Sequence, residues 1–210
     1  MSPDANPCVV GVLLAGGLAR RMGGGDKCLR ELGGETLLAR AAARLGPQVG
    51  RLVLSANGDP ARFAAYGVPV ATDVIPGHAG PLAGVLTGME WARDHAPDCA
   101  WVVSAPTDAP FLPRDLVARF LAAVAGGDAD LACAASEGRR HPVVGLWPVR
   151  LAGDLRRAME DEDMRKIDLW TARYRLAVVT WSAAPVDPFF NANRLADLAV
   201  AERLLAADPA

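Results

Sequence analysis

Gly16 and Gly17 close an apolar run, and Arg20, Arg21, Gly23, Gly24, Gly25, Asp26 and Lys27 follow at once. Glycines let a backbone approach a polyphosphate with its N–H groups, while Arg and Lys supply positive charge. The stretch reads as a phosphate-binding loop; the plainer reading is a glycine-rich surface turn with solvated arginines. Two better-known glycine motifs do not fit. A Walker A loop needs Gly-Lys-Ser/Thr, whereas Lys27 lies between Asp26 and Cys28, so no hydroxyl is placed for magnesium. A dinucleotide fingerprint needs Gly-x-Gly-x-x-Gly, and Leu18, Ala19 and Arg20 break that spacing with a long side chain.

Further polar residues follow apolar stretches of strand length. Asp108 comes just after residues 100–105. A lone carboxylate facing a triphosphate suits magnesium, which takes one or two carboxylates with phosphate oxygens and water. Equally, Asp is a common helix N-cap, and a helix opens near Pro113. Asn57 and Asp73 have side chains able to read a base or ribose, although Asn57-Gly58-Asp59-Pro60 is also an ordinary turn and Asp73 an ordinary solvent carboxylate. Asn191 and Asn193 alternate about Ala192 and share a face if the chain is extended there. Two amides on one side suit a polar ligand, whereas Asn193 alone would serve as the cap of the helix that follows. His141, before Pro142, reads as a turn or core histidine as readily as a ligand, and no general base is assigned to it. Arg165 and Lys166 are a solvated pair or a welcome for an anion.

These residues need a frame that brings them together. Residues 9–14 form a near-continuous apolar run, the pattern of a central strand buried on both faces. Strands are also expected at 51–56, 68–72, 100–105, 131–135, 143–147 and 176–181, and helices at 36–45, 81–95, 112–125 and 194–206. The first helix puts Leu37, Leu38, Ala41 and Leu45 on one side. Alternation of this kind implies an α/β fold: a single-domain three-layer α/β/α arrangement with a mostly parallel, Rossmann-like sheet and right-handed crossovers. Ligands of such sheets bind outside the carboxyl ends of the strands, where the glycine loop, Asn57, Asp73 and Asp108 would all emerge. Gly126-Gly127, Pro142 and Pro148 mark turns, and no internal repeat or linker divides residues 1–210.

Composition narrows the partners. The formal charge of −2 is spread evenly, which leaves no basic face for nucleic acid. Cys8, Cys28, Cys99 and Cys133 form no Cys-x-x-Cys pair, and the apolar surroundings of Cys99 and Cys133 favour buried free thiols; neither zinc nor a disulfide is expected. The N-terminus has no basic leader, and no apolar stretch reaches the roughly 18 residues of a membrane span. The expected place of work is the cytoplasm, with no membrane partner.

The motifs, taken in order, resemble those of the MobA-type molybdopterin guanylyltransferases. They are Leu14-Ala15-Gly16-Gly17, Arg21-Met22-Gly23, Asp26-Lys27, Ser55-Ala56-Asn57, Asp73-Val74 before Gly80-Pro81-Leu82-Ala83-Gly84, residues 107–113, His141-Pro142-Val143 and Phe190-Asn191-Ala192-Asn193. They span nearly the whole chain. The resemblance implies the nucleotide-diphospho-sugar transferase type of fold. It also implies GTP binding by Leu14, Ala15, Gly16, Gly17, Asn57 and Asp73, with Lys27 and Arg21 at the phosphates. Asp108 would be the ligand of Mg2+, and Asn191 and Asn193 would lie near the pterin. The departures are small: Cys28 stands where a small residue is usual, which suggests sensitivity to thiol reagents, and Ala105-Pro106-Thr107 replaces the usual lead into the Asp.

The reaction so implied is attack by the terminal phosphate of molybdopterin, or of its molybdenum-loaded form, on the α-phosphorus of GTP, with pyrophosphate leaving. Molybdoenzymes or their chaperones would receive the product. The nucleophile is already an anion, so alignment and charge stabilisation matter more than a strong base. The motif Leu14-Ala15-Gly16-Gly17 favours GTP over CTP, because cytidylyl-transferring relatives read Leu-Ala-Ala-Gly. A relative using CTP or a sugar-1-phosphate and a non-catalytic nucleotide binder are the alternatives.

Overall fold

The structure, a computed structural model, describes residues 8–16, 25–77 and 80–207. Its central strand is β1 (Val9–Leu14), flanked in parallel by β4 (Arg51–Ser55) and β6 (Trp101–Pro106). Two short strands precede β4: β2 (Glu31–Leu32) and β3 (Glu35–Thr36) make an antiparallel hairpin. Its turn, Gly33-Gly34, takes φ of 59° and 79°, a left-handed pair that glycine adopts without a Cβ clash. The strand β5 (Val70–Ala71) extends the sheet beside β4. On the far side lie β7 (Leu131–Ser136), β8 (Arg139–Pro148) and β9 (Leu176–Trp181), giving the order β5-β4-β1-β6-β8-β7-β9.

Register explains why the polar motifs meet. Leu14 lies opposite both Ser55 and Pro106, so β1, β4 and β6 finish level. The chain then leaves one edge three times, as Ala15-Gly16, Ala56-Asn57 and Thr107-Asp108. Ser55 lies opposite Ala71, which brings Asp73 to the same edge. The strand β8 runs antiparallel to β6, so it is the start of β8, from Arg139, that reaches this edge. A shift of register in β7 between Cys133 and Ala134 leaves residues 142–144 without partners on that strand, which accommodates Pro142.

Successive residues of β1 face opposite sides, and each side carries its own helices. Val9 and Leu13 pack with α1 (Leu37–Leu45) and α3 (Leu116–Val124); Val10 and Val12 pack with α2 (Pro81–His95), α4 (Ala152–Asp161) and α5 (Ile167–Thr171). The expected three layers are present. The four residues expected on the inner side of α1 are its buried ones, and the Thr36 hydroxyl caps the helix by accepting from the Ala39 N–H at 3.1 Å. A last helix, α6 (Leu195–Ala207), covers the hairpin, with Ala201 buried against Leu32 and Leu37.

Glycine lets α2 lie unusually close to the sheet. A Cβ on Gly88 would stand 2.8 Å from the Val12 Cβ, and one on Gly84 would stand 2.6 Å from the Leu14 side chain. The helix expected at 112–125 is shorter, because the chain turns at Pro113 before α3 begins. Two helices, α4 and α5, were not anticipated. The α4 stripe of Ala152, Leu155, Ala158 and Met159 has helical spacing, yet Asp, Glu and Arg around it mask the periodicity.

The cysteine expectation is corrected. Cys8 and Cys99 are joined as a disulfide across a sequence separation of 91, whereas Cys28 and Cys133 are free and buried. Val9 lies opposite Trp101, so the residues just before β1 and β6 are neighbours in space despite their distance in sequence. Among the described residues no helix is long and apolar enough to cross a membrane.

Candidate active site

At the carboxyl edge of the sheet lies a cavity of about 750 Å³ whose walls come from the ends of β1, β4 and β6, the start of β8 and the start of α2. Three segments far apart in sequence meet at its centre. Lys27 Nζ donates to the Asp108 carboxylate and, at 2.6 Å, to Asn193 Oδ1. The Lys27 and Asp108 side chains are 13% and 18% exposed, so this ion pair is largely withdrawn from water. Backbone anchors the arrangement, since the Ala192 N–H donates to Asp108 O at 2.9 Å and holds Asn191 and Asn193 against the end of β6.

The capping alternatives can therefore be set aside. The residue flanking α3 is Asp115, and the Asp108 carboxylate holds Lys27. At the start of α6 it is Asp197 Oδ2 that accepts from the Asn193 and Arg194 N–H groups, both at 2.8 Å, which leaves the Asn193 amide oxygen to Lys27.

One end of the cavity is built around Asp73. Its two carboxylate oxygens accept from Ser55 Oγ at 2.9 Å and Asn57 Nδ2 at 2.8 Å, and its N–H donates to Asn57 Oδ1 at 3.1 Å. Asn57 and Asp73 thus fix one another's orientation. Arg62 ties this end to the glycine loop, pairing with Asp26 at 2.9 Å and donating to Asn57 O. Ser55 stood in the sequence only as part of the motif Ser55-Ala56-Asn57 and Arg62 not at all; their contacts give both a place in the site. Gly80, which precedes α2, has φ 78° and ψ −171°, a conformation open essentially to glycine.

The other end is formed by the start of β8 and by residues 189–193. His141 packs against Phe189 with ring centroids 4.8 Å apart and the planes tilted by 34°, and its Nε2 is 2.7 Å from Ser136 Oγ. Burial holds the imidazole below its ordinary value; Arg139 pushes the same way and Asp187 against it, so His141 is neutral at neutral pH. Arg139 and Arg140 border the cavity beside it, exposed at the turn between β7 and β8. They escaped the sequence reading, where a Glu-Gly-Arg-Arg turn is indistinguishable from an ordinary charged hairpin.

Of the expected residues, Leu14, Gly16, Lys27, Asn57, Asp73, Asp108, Asn191 and Asn193 all line this one cavity. Ala15 does not; it is buried beneath, with its N–H donated to Ser55 O at 2.9 Å. Gly17, Arg20 and Arg21 lie outside the described residues. Arg165 and Lys166 are elsewhere: Arg165 bonds Met159 O at 2.8 Å and pairs with Asp163 at 2.5 Å. The expected thiol sensitivity of Cys28 is corrected. Burial, then the charge of Asp26, pushes its thiol up to about 11, so the reactive thiolate is scarce at neutral pH.

Asp108 Oδ2 and Asn193 Oδ1 converge on one positive group, the Lys27 ammonium. A carboxylate and an amide oxygen are hard donors of the kind a small divalent cation accepts.

Comparison with known proteins agrees with this layout. Residues 11–176 match the family model described as MobA-like NTP transferase domain. The chain is 59% identical over 206 residues to a molybdenum cofactor guanylyltransferase of a Bradyrhizobium species, covering 98% of this chain and 97% of that protein. It is 57% identical over 203 residues to one of Rhodopseudomonas palustris, covering 97% of each. Among solved structures, molybdopterin-guanine dinucleotide biosynthesis protein A of Archaeoglobus fulgidus superposes with a TM-score of 0.73 at 21% identity, over 95% of this chain and all (100%) of that one. A 4-diphosphocytidyl-2C-methyl-D-erythritol synthase of Anaerococcus prevotii reaches 0.72 at 10% identity, over 95% and 96%. At such identities these two share the fold alone.

Proposed function

The chain belongs to the MobA-like NTP transferase family, and we propose that it is a molybdenum cofactor guanylyltransferase, carrying GMP from GTP to the terminal phosphate of molybdopterin or Mo-molybdopterin. The observation that carries this reading is the meeting of Lys27, Asp108 and Asn193 midway between two differently built ends of one cavity.

The end around Asp73 suits guanine. Asp73 and Asn57 are locked together, which leaves fixed acceptor lone pairs on the carboxylate. The Watson–Crick edge of guanine offers N–H donors, whereas cytosine presents an acceptor at N3. Gly16 and the glycine-loop backbone are suited to the triphosphate, and Lys27 to the charge that develops as pyrophosphate departs. The pterin phosphate enters from the end formed by β8 and Asn191. Because that phosphate is already anionic, the site works by alignment, and the neutral His141 is a wall and hydrogen-bond partner.

Asp108 and Asn193 would hold Mg2+ beside the nucleotide phosphates. There the ion would supply charge neutralisation and orientation of the phosphate oxygens. With Lys27 seated on the same two oxygens, the chain's own part is to keep a positive group at this point and to hand the ammonium to the phosphates when nucleotide binds. Use of GTP and a soluble pterin fits work in the cytoplasm.

Pyrophosphate release measured with GTP, CTP, ATP and UTP in the presence of molybdopterin and magnesium tests the reading. Release with GTP is expected. Release with CTP in its place, or with none of the four, overturns it.

A further inference from the structure

The cavity must hold two polyanions at once, a nucleoside triphosphate and a phosphomonoester, yet its central cation, Lys27, sits on Asp108 and is committed to the triphosphate once nucleotide binds. His141 is neutral, and Asp73 adds negative charge at the nucleoside end. Among the described residues that line the cavity, the other positive groups are Arg139 and Arg140. Their neighbouring acids are Glu137, in the same turn, and Asp187, beside His141.

Among the described residues no carboxylate pairs with these two arginines, in contrast to several others of the chain. Arg156 is held by Glu90 and Glu160, Arg173 by Glu162 and Arg175 by Asp130. Among the described residues Arg139 and Arg140 have neither a salt bridge nor a side-chain hydrogen bond. Antiparallel β8 puts them where the other strands end, across the Lys27–Asp108 pair from Asn57 and Asp73. A guanidinium presents a planar fork that matches phosphate oxygens two at a time.

We propose that Arg139 and Arg140 grip the phosphomonoester of the second substrate and position it for attack, making them specificity-determining residues at the pterin end. The inference rests on the guanylyltransferase reading for the identity of that substrate, and on the cavity alone for the recognition of a phosphate.

The test uses Arg139→Ala, Arg140→Ala, the double variant and the corresponding Lys variants in the full-length protein. Steady-state kinetics are read separately for GTP and molybdopterin, alongside calorimetric titration of molybdopterin without GTP. Loss of the two charge-assisted contacts is expected to raise KM for molybdopterin, and weaken its direct binding, by roughly 10- to 100-fold. KM for GTP and Tm should stay at wild-type values, because both side chains are exposed. Lys should restore part of the loss, since it keeps the charge without the fork. Unchanged KM for both substrates would leave the pair as solvated arginines and overturn the proposal. A rise confined to GTP would also overturn it, assigning them to the triphosphate. If the wild-type protein released no pyrophosphate, the functional reading would fall, while the titration would still decide whether the arginines bind a phosphomonoester.

Discussion

Lys27, Asp108 and Asn193 show how one residue's role depends on its partners. Lys27→Ala removes the positive group from the cavity centre. Loss of one donor to developing charge costs about 2.7–4 kcal/mol, or roughly 10²–10³ in turnover. The fold should survive, because Asp108 lines the cavity and water entering the space left by the Lys27 side chain can solvate its carboxylate; near-normal turnover with a collapsed Tm would make Lys27 structural. Asp108→Asn keeps the size and an oxygen for Lys27 but removes the charge. It should shift the magnesium titration of activity to higher concentration and depress turnover without unfolding, and a titration curve superimposable on that of the wild type would reject the metal role. His141 gives a pH signature. Its folded pKa lies below the unfolded value near 6.5, so the unfolded chain takes up the proton first. The associated stability is complete above that value and declines as pH falls toward the folded pKa. Denaturant midpoints measured between about pH 5 and 7.5 should therefore fall less steeply on the acid side in His141→Gln than in the wild type; parallel curves would show that other groups carry the slope.

At the scale of elements, the working edge depends on how closely α2 lies on β1. Gly88 faces the Cβ of Val12, an atom fixed to a central strand that cannot swing aside. Gly88→Val therefore forces the helix outward. Overpacking of this kind costs about 1–3 kcal/mol, at roughly 2–4 °C of Tm per kcal/mol for a domain of this size. The same outward shift moves Gly80, Pro81 and Gly84, which line the nucleoside end, so KM for GTP should rise together with the loss in Tm. A stable variant with unaltered KM would mean that α2 is free to slide on the sheet. The long β8 has the complementary task. Its reversed direction delivers the start of a strand, with its arginines and His141, to an edge otherwise made of strand ends.

For the whole molecule, the Cys8–Cys99 bridge ties the beginning of β1 to that of β6, at the end of the sheet opposite the cavity. It closes a loop with a sequence separation of 91. On the chain-entropy account a loop of this size is stabilised by about 4–5 kcal/mol. Thiol titration of the denatured, unreduced chain should find Cys28 and Cys133 alone, and reduction should add two thiols and lower Tm. Four thiols before reduction would show that the pair stands open.

Sequence by itself determined the sheet's centre and the list of groups gathered at its edge. The apolar run of β1 and the inner side of α1 follow from burial, which leaves a direct imprint on residue type and period. Lys27, Asn57, Asp73 and Asp108 each follow a glycine loop or strand, so their convergence was legible once the sheet was parallel. What only the tertiary structure decided depends on pairs distant along the chain. These include the seating of Lys27 on both Asp108 and Asn193, the locking of Asp73 by Ser55 and Asn57, and the bond between Cys8 and Cys99. The antiparallel course of β8 belongs here too, since it turned an ordinary Arg139-Arg140 hairpin into a wall of the cavity. A hydrophobic period is local and survives in the sequence; a hydrogen bond between residues 166 positions apart, like that of Lys27 and Asn193, exists only once strand order and register have brought them to the same place.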